Sequence, residues 1–374
     1  MTKINKKIIF SANSSWYLLN FRAATLERFI EEGHDVYCIA PKDQYSMDLI
    51  TLGCKFIHLK MNNKGRNPFE DAILIYRIAR IYYSVSPDYV FNFTIKNNIY
   101  GTFAAIFFKI KIFNHITGLG TAILRGGLLS KFVCNLYRSS QKFAHLIFCQ
   151  NNEDKNFFLE KKLARENKIK LLPGSGVNIG HFCSSRELNL SNDQVVNFIY
   201  AGRIIADKGL IELIEAIKQI NQSQVLCNLY IYGSIDSDNL SAIPEHEVKN
   251  WNQIPGVRWL GHSSSIKQVL NGKIDCAILP SYREGMPKFL LEAASMSLPI
   301  IATDVSGCNE IVLDGKNGFL CKPKDISSLQ ASILKMISLK PIERFKMGQN
   351  GRKIVEDQYT EDIVVNAAVD ALNI

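Results

Sequence analysis

Short apolar runs alternate with amphipathic segments along the whole chain of 374 residues. Six runs rich in β-branched and aromatic residues predict buried strands in the first half, at residues 7–12, 35–40, 55–59, 88–93, 112–117 and 146–150. Five more predict strands in the second half, at residues 195–201, 227–233, 257–261, 276–280 and 299–303. Helical periodicity between them predicts helices such as 20–32, which ends at Gly33, and 68–84, which ends before Pro87.

This alternation is typical of an α/β protein with parallel sheets. The length is more than one core needs and favours two domains, which we place at residues 1–180 and 181–374. We expect each domain to be a doubly wound, Rossmann-like unit, and the two to face each other across a cleft. Ligands of such sheets bind beyond the carboxyl ends of the strands.

A pair of carboxylates in the second half points to a ligand site. Glu284 and Glu292 are eight positions apart, after the apolar run 276–279, and Pro287 lies where helices favour proline, at their first position. We therefore place Glu284 in a loop and Glu292 on a helix. If the turns between them are helical, the carboxylates lie about 12 Å apart along the axis, at ~1.5 Å per residue. That separation excludes a shared proton and suits two contacts on one elongated ligand.

The same region predicts a site for a diphosphate. The start of a helix offers unpaired N–H groups and a positive dipole end to an anion. A second segment supplies cations, because Arg203 and Lys208 lie between the strand that ends near residue 201 and the amphipathic helix 210–220. Arginine brings a rigid fork and lysine a mobile point charge, a combination suited to phosphate oxygens.

The sequences GRIIADKG at residues 202–209 and EGMPKFLLE at residues 284–292 together resemble the donor half of the retaining GT-B glycosyltransferases of family 4. The resemblance extends along the whole chain. It implies that Arg203 and Lys208 grip the nucleotide diphosphate, that Glu292 takes the ribose hydroxyls and that Glu284 meets the donor sugar. It also implies a terminal helix, about residues 360–374, that packs back on the first domain. The remaining expected donor contacts are Gly233, Gly285, Met286 and Pro287.

The first domain departs from the family pattern in two places. Many relatives carry a Gly-Gly pair after the first strand, where this chain has Asn13 and two serines. Many also place a histidine before the glycine that follows the fifth strand, where this chain has Thr117, with His115 two positions earlier. Alternate strand residues face the same side, so His115 is either a catalytic residue that reaches the cleft or a hydrogen-bonded histidine at a strand end. The expected residues on the acceptor side are Asn13, Lys96, Thr117 and Arg125.

Charge is divided unevenly between the halves and bears on the acceptor. Residues 1–180 hold 25 Lys and Arg against 13 Asp and Glu, and residues 181–374 hold 19 against 22. The window 89–152 contains seven basic residues, no acidic one and many aromatic and aliphatic side chains. This mixture favours an anionic membrane surface and an acceptor carried on a lipid diphosphate. The alternative is that its apolar residues form the core of the first domain.

Several other functions are disfavoured by the sequence. The most apolar stretch, 99–108, is too short to span a bilayer, and the basic start lacks the apolar region of a signal peptide. Nine scattered cysteines lack metal-site spacing and favour a reducing cytosol. Asp236 and Asp238 spell the D-x-D motif of a metal site, but the flanking pattern favours a solvated turn and no metal. No nucleic-acid recognition motif accompanies the basic charge.

The resemblance to family 4 implies a retaining, metal-independent glycosyltransferase without a bound cofactor that uses a UDP-sugar. It would transfer a hexose or N-acetylhexosamine, of the Gal, GalNAc, Glc or GlcNAc type, from a UDP-sugar to an undecaprenyl-diphosphate-linked oligosaccharide of bacterial O-antigen or capsule. The expected location is peripheral, on the cytoplasmic face of the inner membrane. Two alternatives remain open: a soluble transferase acting on a small molecule or protein, and a non-catalytic nucleotide-sugar-binding subunit of a membrane assembly.

Overall fold

Parallel strands and helices alternate in two units. The computed structural model describes residues 5–63, 65, 67–120, 123, 126–184, 195–223, 227–237 and 239–373. The first unit comprises Met1–Ser175 together with Asp362–Ile374, and the second comprises Gly176–Glu361. The α/β fold with two parallel sheets that the sequence predicts is confirmed.

The first unit contains a seven-stranded parallel sheet in the order β3-β2-β1-β4-β5-β6-β7. Its strands are β1 (Lys7–Ser11), β2 (Asp35–Ala40), β3 (Lys55–His58), β4 (Tyr89–Phe93), β5 (Lys111–Ile116), β6 (Leu146–Cys149) and β7 (Ile169–Leu171). Its described helices are α1 (Ser15–Glu31), α2 (Ser46–Thr51), α3 (Pro68–Val85), a π-helix (Asn97–Gly101), α4 (Thr102–Ala105), α5 (Gly127–Ser140), α6 (Asn152–Glu160), a 3₁₀ turn (Glu166–Lys168) and the C-terminal α13 (Glu361–Leu372).

The core of the first unit lies on both faces of this sheet. Ile9 pairs with Tyr37 of β2 and with Val90 of β4, so β1 lies in the middle of the sheet. Ile8, Ile9 and Phe10 have no exposed surface, as expected for a parallel strand covered by helices on both sides. α13 packs on one face, where Tyr89 donates a hydrogen bond to the Leu372 carbonyl at 2.8 Å.

The second unit contains a six-stranded parallel sheet in the order β10-β9-β8-β11-β12-β13. Its strands are β8 (Val196–Ala201), β9 (Cys227–Tyr232), β10 (Val257–Trp259), β11 (Cys276–Leu279), β12 (Ile300–Thr303) and β13 (Gly318–Cys321). Its α-helices are α7 (Leu210–Gln222), α8 (Glu245–Asn250), α9 (Ile266–Leu270), α10 (Lys288–Ser295), α11 (Ile326–Ser338) and α12 (Pro341–Gln358), with short 3₁₀ turns at Ala206–Lys208 and Trp251–Gln253.

Several predicted boundaries were wrong, for local reasons. The helix predicted at 20–32 begins at Ser15, because the Ser14 side chain caps it by accepting a hydrogen bond from the Tyr17 N–H. The short edge strands β7 and β13 were not predicted, because only one or two of their residues are buried and they lack a long apolar run. None of the helices in the described ranges combines the length and hydrophobicity needed to cross a bilayer.

Candidate active site

The predicted donor-side residues lie at the carboxyl edge of the second sheet. β8 is flanked by β9 on one side and β11 on the other, so the chain changes direction between β8 and β11. Arg203 follows β8, Gly233 follows β9 and Glu284 follows β11. Ligands of doubly wound sheets bind at such a switch point.

An ion pair spans the switch point. The Lys208 ammonium contacts Glu284 Oε1, and the two side chains are 18% and 11% exposed. The Ser281 hydroxyl donates to the same oxygen at 2.6 Å. Thr303, at the end of β12, donates its hydroxyl to the Ser281 carbonyl after β11. Together with the Lys208–Glu284 pair, this bond connects the segments that follow β8, β11 and β12. Lys208, predicted for the diphosphate, and Glu284, predicted for the sugar, therefore belong to one charged cluster.

Close backbone packing positions Lys208 in this cluster. Gly209, directly after it, has a φ of +70° and precedes the first residue of α7. A Cβ at this position would lie 2.0 Å from the Pro280 carbonyl oxygen. Only glycine permits both the left-handed backbone and this approach to the end of β11. The glycine in the GRIIADKG segment thus brings the lysine to the loop that carries Glu284.

Arg203 remains open to solvent. Its side chain is 61% exposed, and its guanidinium lies 3.3 Å from Asp236 Oδ2. The Tyr200 hydroxyl donates to the Arg203 carbonyl at 2.8 Å, which fixes the backbone but leaves the guanidinium accessible. Asp236 also accepts from the Asn239 side chain at 3.2 Å, while Asp238 lies outside the described residues. Surface ion pairs of this kind are weak, so an incoming anion can replace Asp236 as the partner of Arg203.

Glu292 is a buried carboxyl on α10. Its side chain is 11% exposed, and the Lys288 ammonium lies 3.9 Å from Oε1. Burial raises the pKa of Glu292 to about 7, and the charge of Lys288 opposes the rise. A carboxyl group whose pKa is raised this far by burial is a candidate for contact with a ligand.

The loop before α10 differs from the prediction in one respect. Pro287 is the N-cap residue and α10 begins at Lys288, so the chain from Glu284 to Met286 bends instead of winding helically. The distance estimated for continuous helical turns therefore does not apply. Met286 packs against the core of the second unit, and Gly285 lies in the bend. No side chain caps the start of α10, which leaves this end without an acidic competitor for an anion.

Four residues of this region were not predicted from the sequence. Ser281 and Thr303 lie at or directly after strand ends, a position that is a usable sequence signal for site residues. Tyr282 and Glu212 carry no such signal, because their hydrogen bond, 2.7 Å from the phenol to Oε1, joins residues 70 positions apart. This bond ties the loop after β11 to α7.

His115 is enclosed in the first unit. It is 4% exposed and lies between the rings of Phe93 and Phe148, at centroid distances of 4.5 and 4.7 Å. Burial lowers the pKa of His115 well below its usual value, and the charge of Arg22 adds to this effect. Among the described residues its Nε2 has no hydrogen-bond partner. β5 ends at Ile116, so Thr117 lies beyond the strand. The alternation of side chains along a strand therefore does not place residues 115 and 117 on the same side, as the sequence predicted.

The other predicted acceptor-side residues also belong to the first unit. The Lys96 ammonium lies 2.7 Å from Asp71 Oδ1. The Asn13 carbonyl accepts from the Asn63 side chain at 2.8 Å, and Thr117 is partly buried. Arg125 lies outside the described residues. Within the described ranges there is no group of three or more His, Cys, Asp or Glu side chains able to hold a metal ion.

Comparison with known proteins identifies the family. The model for "Glycosyl transferase 4-like" matches residues 7–151, and the model for "Glycosyl transferases group 1" matches residues 184–354. The chain is a GT4-like glycosyltransferase of the GT-B fold. This confirms the resemblance inferred from the GRIIADKG and EGMPKFLLE segments.

Proteins similar to this glycosyltransferase include two transferases named for undecaprenol-linked acceptors and one named for capsular polysaccharide biosynthesis. It is 27% identical, over 96% of both chains, to the N,N'-diacetylbacillosaminyl-diphospho-undecaprenol alpha-1,3-N-acetylgalactosaminyltransferase of Campylobacter jejuni. It is 28% identical, over 79% of both chains, to the capsular polysaccharide biosynthesis glycosyltransferase CapM of Staphylococcus aureus. The UDP-Gal:alpha-D-GlcNAc-diphosphoundecaprenol alpha-1,3-galactosyltransferase of Escherichia coli is 26% identical over 51% of this chain and 50% of its own.

Solved structures show the same fold at lower identity. The Anabaena protein HepE, in complex with UDP and glucose, has a TM-score of 0.79 and 17% identity, over 99% of this chain and 100% of its own. A glycosyltransferase from Rickettsia africae has a TM-score of 0.78 and 18% identity, over 99% of this chain and 98% of its own. At this identity the structures establish the fold of the glycosyltransferase alone.

Proposed function

We propose that this glycosyltransferase transfers a hexose or N-acetylhexosamine from a UDP-sugar to a saccharide carried on undecaprenyl diphosphate. The observation that supports this most is the similarity, over 96% of both chains, to an enzyme named for a diphospho-undecaprenol acceptor. A second relative is named for the same type of lipid carrier and for UDP-Gal as donor. Galactose and N-acetylgalactosamine are accordingly the sugars to test first.

In this proposal the donor binds at the switch point of the second unit. The Arg203 guanidinium leaves Asp236 and binds diphosphate oxygens. The Lys208 ammonium, which contacts Glu284, also donates a hydrogen bond to an oxygen of the leaving diphosphate. Glu284 then accepts hydrogen bonds from sugar hydroxyls. Ionised Glu292 accepts from the ribose hydroxyls, and the uncapped start of α10 adds its dipole.

The proposed reaction retains the anomeric configuration. UDP-hexoses of this type are α-linked, and both named undecaprenol-dependent relatives form alpha-1,3 products. Breaking the bond between the anomeric carbon and the diphosphate oxygen of the donor places negative charge on the diphosphate and positive charge on the anomeric carbon. Arg203 and Lys208 stabilise the negative charge on the diphosphate. Preorganised charges of this kind usually supply a large part of an enzyme's rate enhancement. The departing phosphate oxygen takes the proton of the acceptor hydroxyl, so the chemistry needs no separate protein base.

An apolar surface on the first unit supports peripheral binding to an anionic bilayer. Its members are 48 to 89% exposed and lie on neighbouring helices: Phe69, Ile73, Tyr76 and Tyr83 of α3, Phe107 after α4, and Leu128 and Phe132 of α5. The four residues of α3 follow a helical period and share one face. Exposed cations accompany them, namely Arg80, Lys109, Lys131 and Arg138. Apolar side chains interleaved with cations suit the interface of an anionic membrane.

A donor panel tests the proposed reaction. Purified protein is incubated with undecaprenyl-diphosphate-linked GlcNAc or N,N'-diacetylbacillosamine and with UDP-GalNAc, UDP-Gal, UDP-GlcNAc or UDP-Glc. We expect one donor to add a single sugar, detected by mass spectrometry, with an α linkage by NMR. Activity should persist with a chelator, because the cations of the site replace a metal. The absence of transfer from every donor to either acceptor would refute the proposed function.

A further inference from the structure

A pocket at the carboxyl edge of the first sheet is lined by none of the residues assigned to the donor above. It has a volume of about 310 Å³ and lies between the connection after β3 and the first turns of α3. This volume is at the small end of the range for ligand sites, about 300 to 1,000 Å³. Its lining includes Asn62, Glu70, Asp71, Leu74, Arg77 and Lys96.

Asp71 is the centre of the polar part of this pocket. Its Oδ1 lies 2.7 Å from the Lys96 ammonium, and its Oδ2 accepts from the Tyr100 hydroxyl at 2.7 Å. The Asp71 and Lys96 side chains are only 16% and 17% exposed. The carboxylate is therefore held in one orientation by two partners, and its remaining lone pairs are available to a ligand in the pocket.

The partners of Asp71 come from an unusual helix. Lys96 directly precedes the π-helix and Tyr100 lies within it. π-helices are rare and frequently occur at functional sites. The Asn97 amide donates to Ser11 Oγ at 2.8 Å, and the Asn98 amide donates to the His115 carbonyl at 2.8 Å. Both amides are buried, so β1 and β5 fix the wide turn that brings Lys96 and Tyr100 to α3.

The mixture of groups in the pocket suits a sugar. Sugar hydroxyls donate to carboxylates and accept from ammonium, guanidinium and amide N–H groups, all of which line this pocket. Leu74 and Met61 provide an apolar wall for the C–H face of a pyranose ring. Three cations, Lys60, Arg77 and Lys96, and two carboxylates, Glu70 and Asp71, line the pocket, and Lys96 is already paired with Asp71. This mixed charge favours hydroxyl groups, which both donate and accept, over a phosphate, which offers no donor to the two carboxylates.

We propose that this pocket binds one pyranose ring of the acceptor glycan, with the Asp71 carboxylate accepting hydrogen bonds from its hydroxyls. The assignment rests on the function proposed above, because it takes the acceptor to be a lipid-linked saccharide. It adds Asp71 to the residues expected on the acceptor side. Lys96 and Tyr100 become positioning residues, because they hold the Asp71 carboxylate in place.

Steady-state kinetics of Asp71→Asn test the assignment. We expect the acceptor KM to rise at least about tenfold, the loss expected for one hydrogen bond to a charged group. The dissociation constant for UDP, measured by calorimetry, should match that of the wild type, because the proposed donor site lies in the second unit and Asp71 in the first. Asp35→Asn is the matched control, because it removes the carboxylate of the 2.6 Å pair with Lys55 at the amino edge of the same sheet. An unchanged acceptor KM in Asp71→Asn would overturn the assignment.

Two further measurements separate this assignment from its alternatives. Farnesyl diphosphate, which lacks the sugar, should inhibit the wild type and Asp71→Asn equally. A change in its inhibition constant would assign the pocket to the diphosphate and overturn the proposal. Tyr100→Phe should raise the acceptor KM in the same direction while its melting temperature stays near that of the wild type, so misfolding is distinguishable from lost recognition.

The pocket is also testable if the proposed reaction fails. Saturation-transfer-difference NMR with methyl glycosides of GlcNAc and GalNAc measures sugar binding without turnover. We expect signals from the pyranose protons with wild type and with Asp35→Asn, and their loss with Asp71→Asn. Equal signals in all three proteins would overturn the pocket assignment whatever the outcome of the donor panel.

Discussion

The buried carboxyl of Glu292 links solution pH to the free energy of unfolding. Its pKa is about 7 in the folded protein against 4.5 for an ordinary glutamate, so the folded state binds more protons between these values. The contribution of Glu292 to the free energy of unfolding therefore falls as pH rises from 4.5 to 7, by about 3 kcal/mol in total. We expect Glu292→Gln to be more stable than the wild type. Its advantage in unfolding free energy should be roughly 2 kcal/mol larger at pH 8 than at pH 5.

Urea unfolding of both proteins at several pH values measures this difference. All other titrating groups are shared, so their contributions cancel when the two proteins are compared. A difference in unfolding free energy that does not vary with pH would show that the Glu292 carboxyl has an ordinary pKa. If Glu292 also holds the ribose as proposed, the stabilised variant should bind UDP more weakly, a trade of stability for function.

The charge of Lys208 has a distinct kinetic prediction. Lys208→Met should lower kcat/KM for the UDP-sugar by about a hundredfold, the order of loss seen when one group that stabilises transition-state charge is removed. Lys218→Met is the matched control, because Lys218 forms only a surface pair with Glu215 at 3.5 Å in the same unit. Equal activity of the two variants would contradict a role for Lys208 in stabilising the leaving group.

At the scale of elements, the π-helix depends on a glycine for its packing. A Cβ on Gly101 would lie 2.6 Å from Asn92 Oδ1, and Asn92 is fully buried in β4. Because the helical φ of −61° suits alanine, the cost of Gly101→Ala is steric alone. We expect a loss of about 1 to 3 kcal/mol in unfolding free energy, as for other overpacked cores.

Chemical denaturation of Gly101→Ala measures this loss. Gly180→Ala serves as the control, since its Cβ would lie at an ordinary 3.5 Å from the nearest atom, Asn178 Oδ1. Equal stability of the two variants would show that the π-helix adapts to a side chain. A stable Gly101→Ala with a raised acceptor KM would instead place the effect on the sugar pocket.

Local sequence patterns predicted most of the elements and failed at particular ones. Asp35–Ala40 was predicted without error because it is one apolar run between polar residues. The start of α1 was missed because the capping bond of Ser14, and not hydrophobic periodicity, determines where the helix begins. The π-helix was missed because its extra residue per turn is stabilised by Ser11 and the His115 carbonyl, which are distant in sequence.

At the scale of the whole molecule, the apolar surface of the first unit predicts binding to anionic vesicles. We expect the protein to sediment with vesicles rich in phosphatidylglycerol, less with phosphatidylcholine, and less at high salt, which screens the cations. Phe107→Ser and Phe132→Ser should each weaken binding about tenfold, because a large apolar side chain no longer enters the interface.

Leu240→Ser is the control for this experiment. Leu240 is 73% exposed but belongs to the second unit, so it is not one of the residues of the apolar surface defined on the first. Its substitution should leave vesicle binding unchanged. Equal loss in all three variants, or equal sedimentation with both lipids, would contradict a specific membrane surface.

The sequence by itself determined the α/β class, the two parallel sheets and the family. These follow from short-range patterns, namely apolar runs, glycines and charged residues at fixed spacing. It also identified Arg203, Lys208, Glu284 and Glu292 as donor-side candidates, because each lies on a motif beside a predicted strand or helix end.

Only the tertiary structure decided how these residues meet. Lys208 and Glu284 are 76 positions apart and contact each other because β8 and β11 are neighbours in the sheet. Asp71 meets Lys96 and Tyr100 because α3 packs against the π-helix. Burial of Glu292 and enclosure of His115 likewise depend on side chains from distant segments. Strand order and packing create these contacts and pKa shifts, and neither is encoded in any one stretch of the chain.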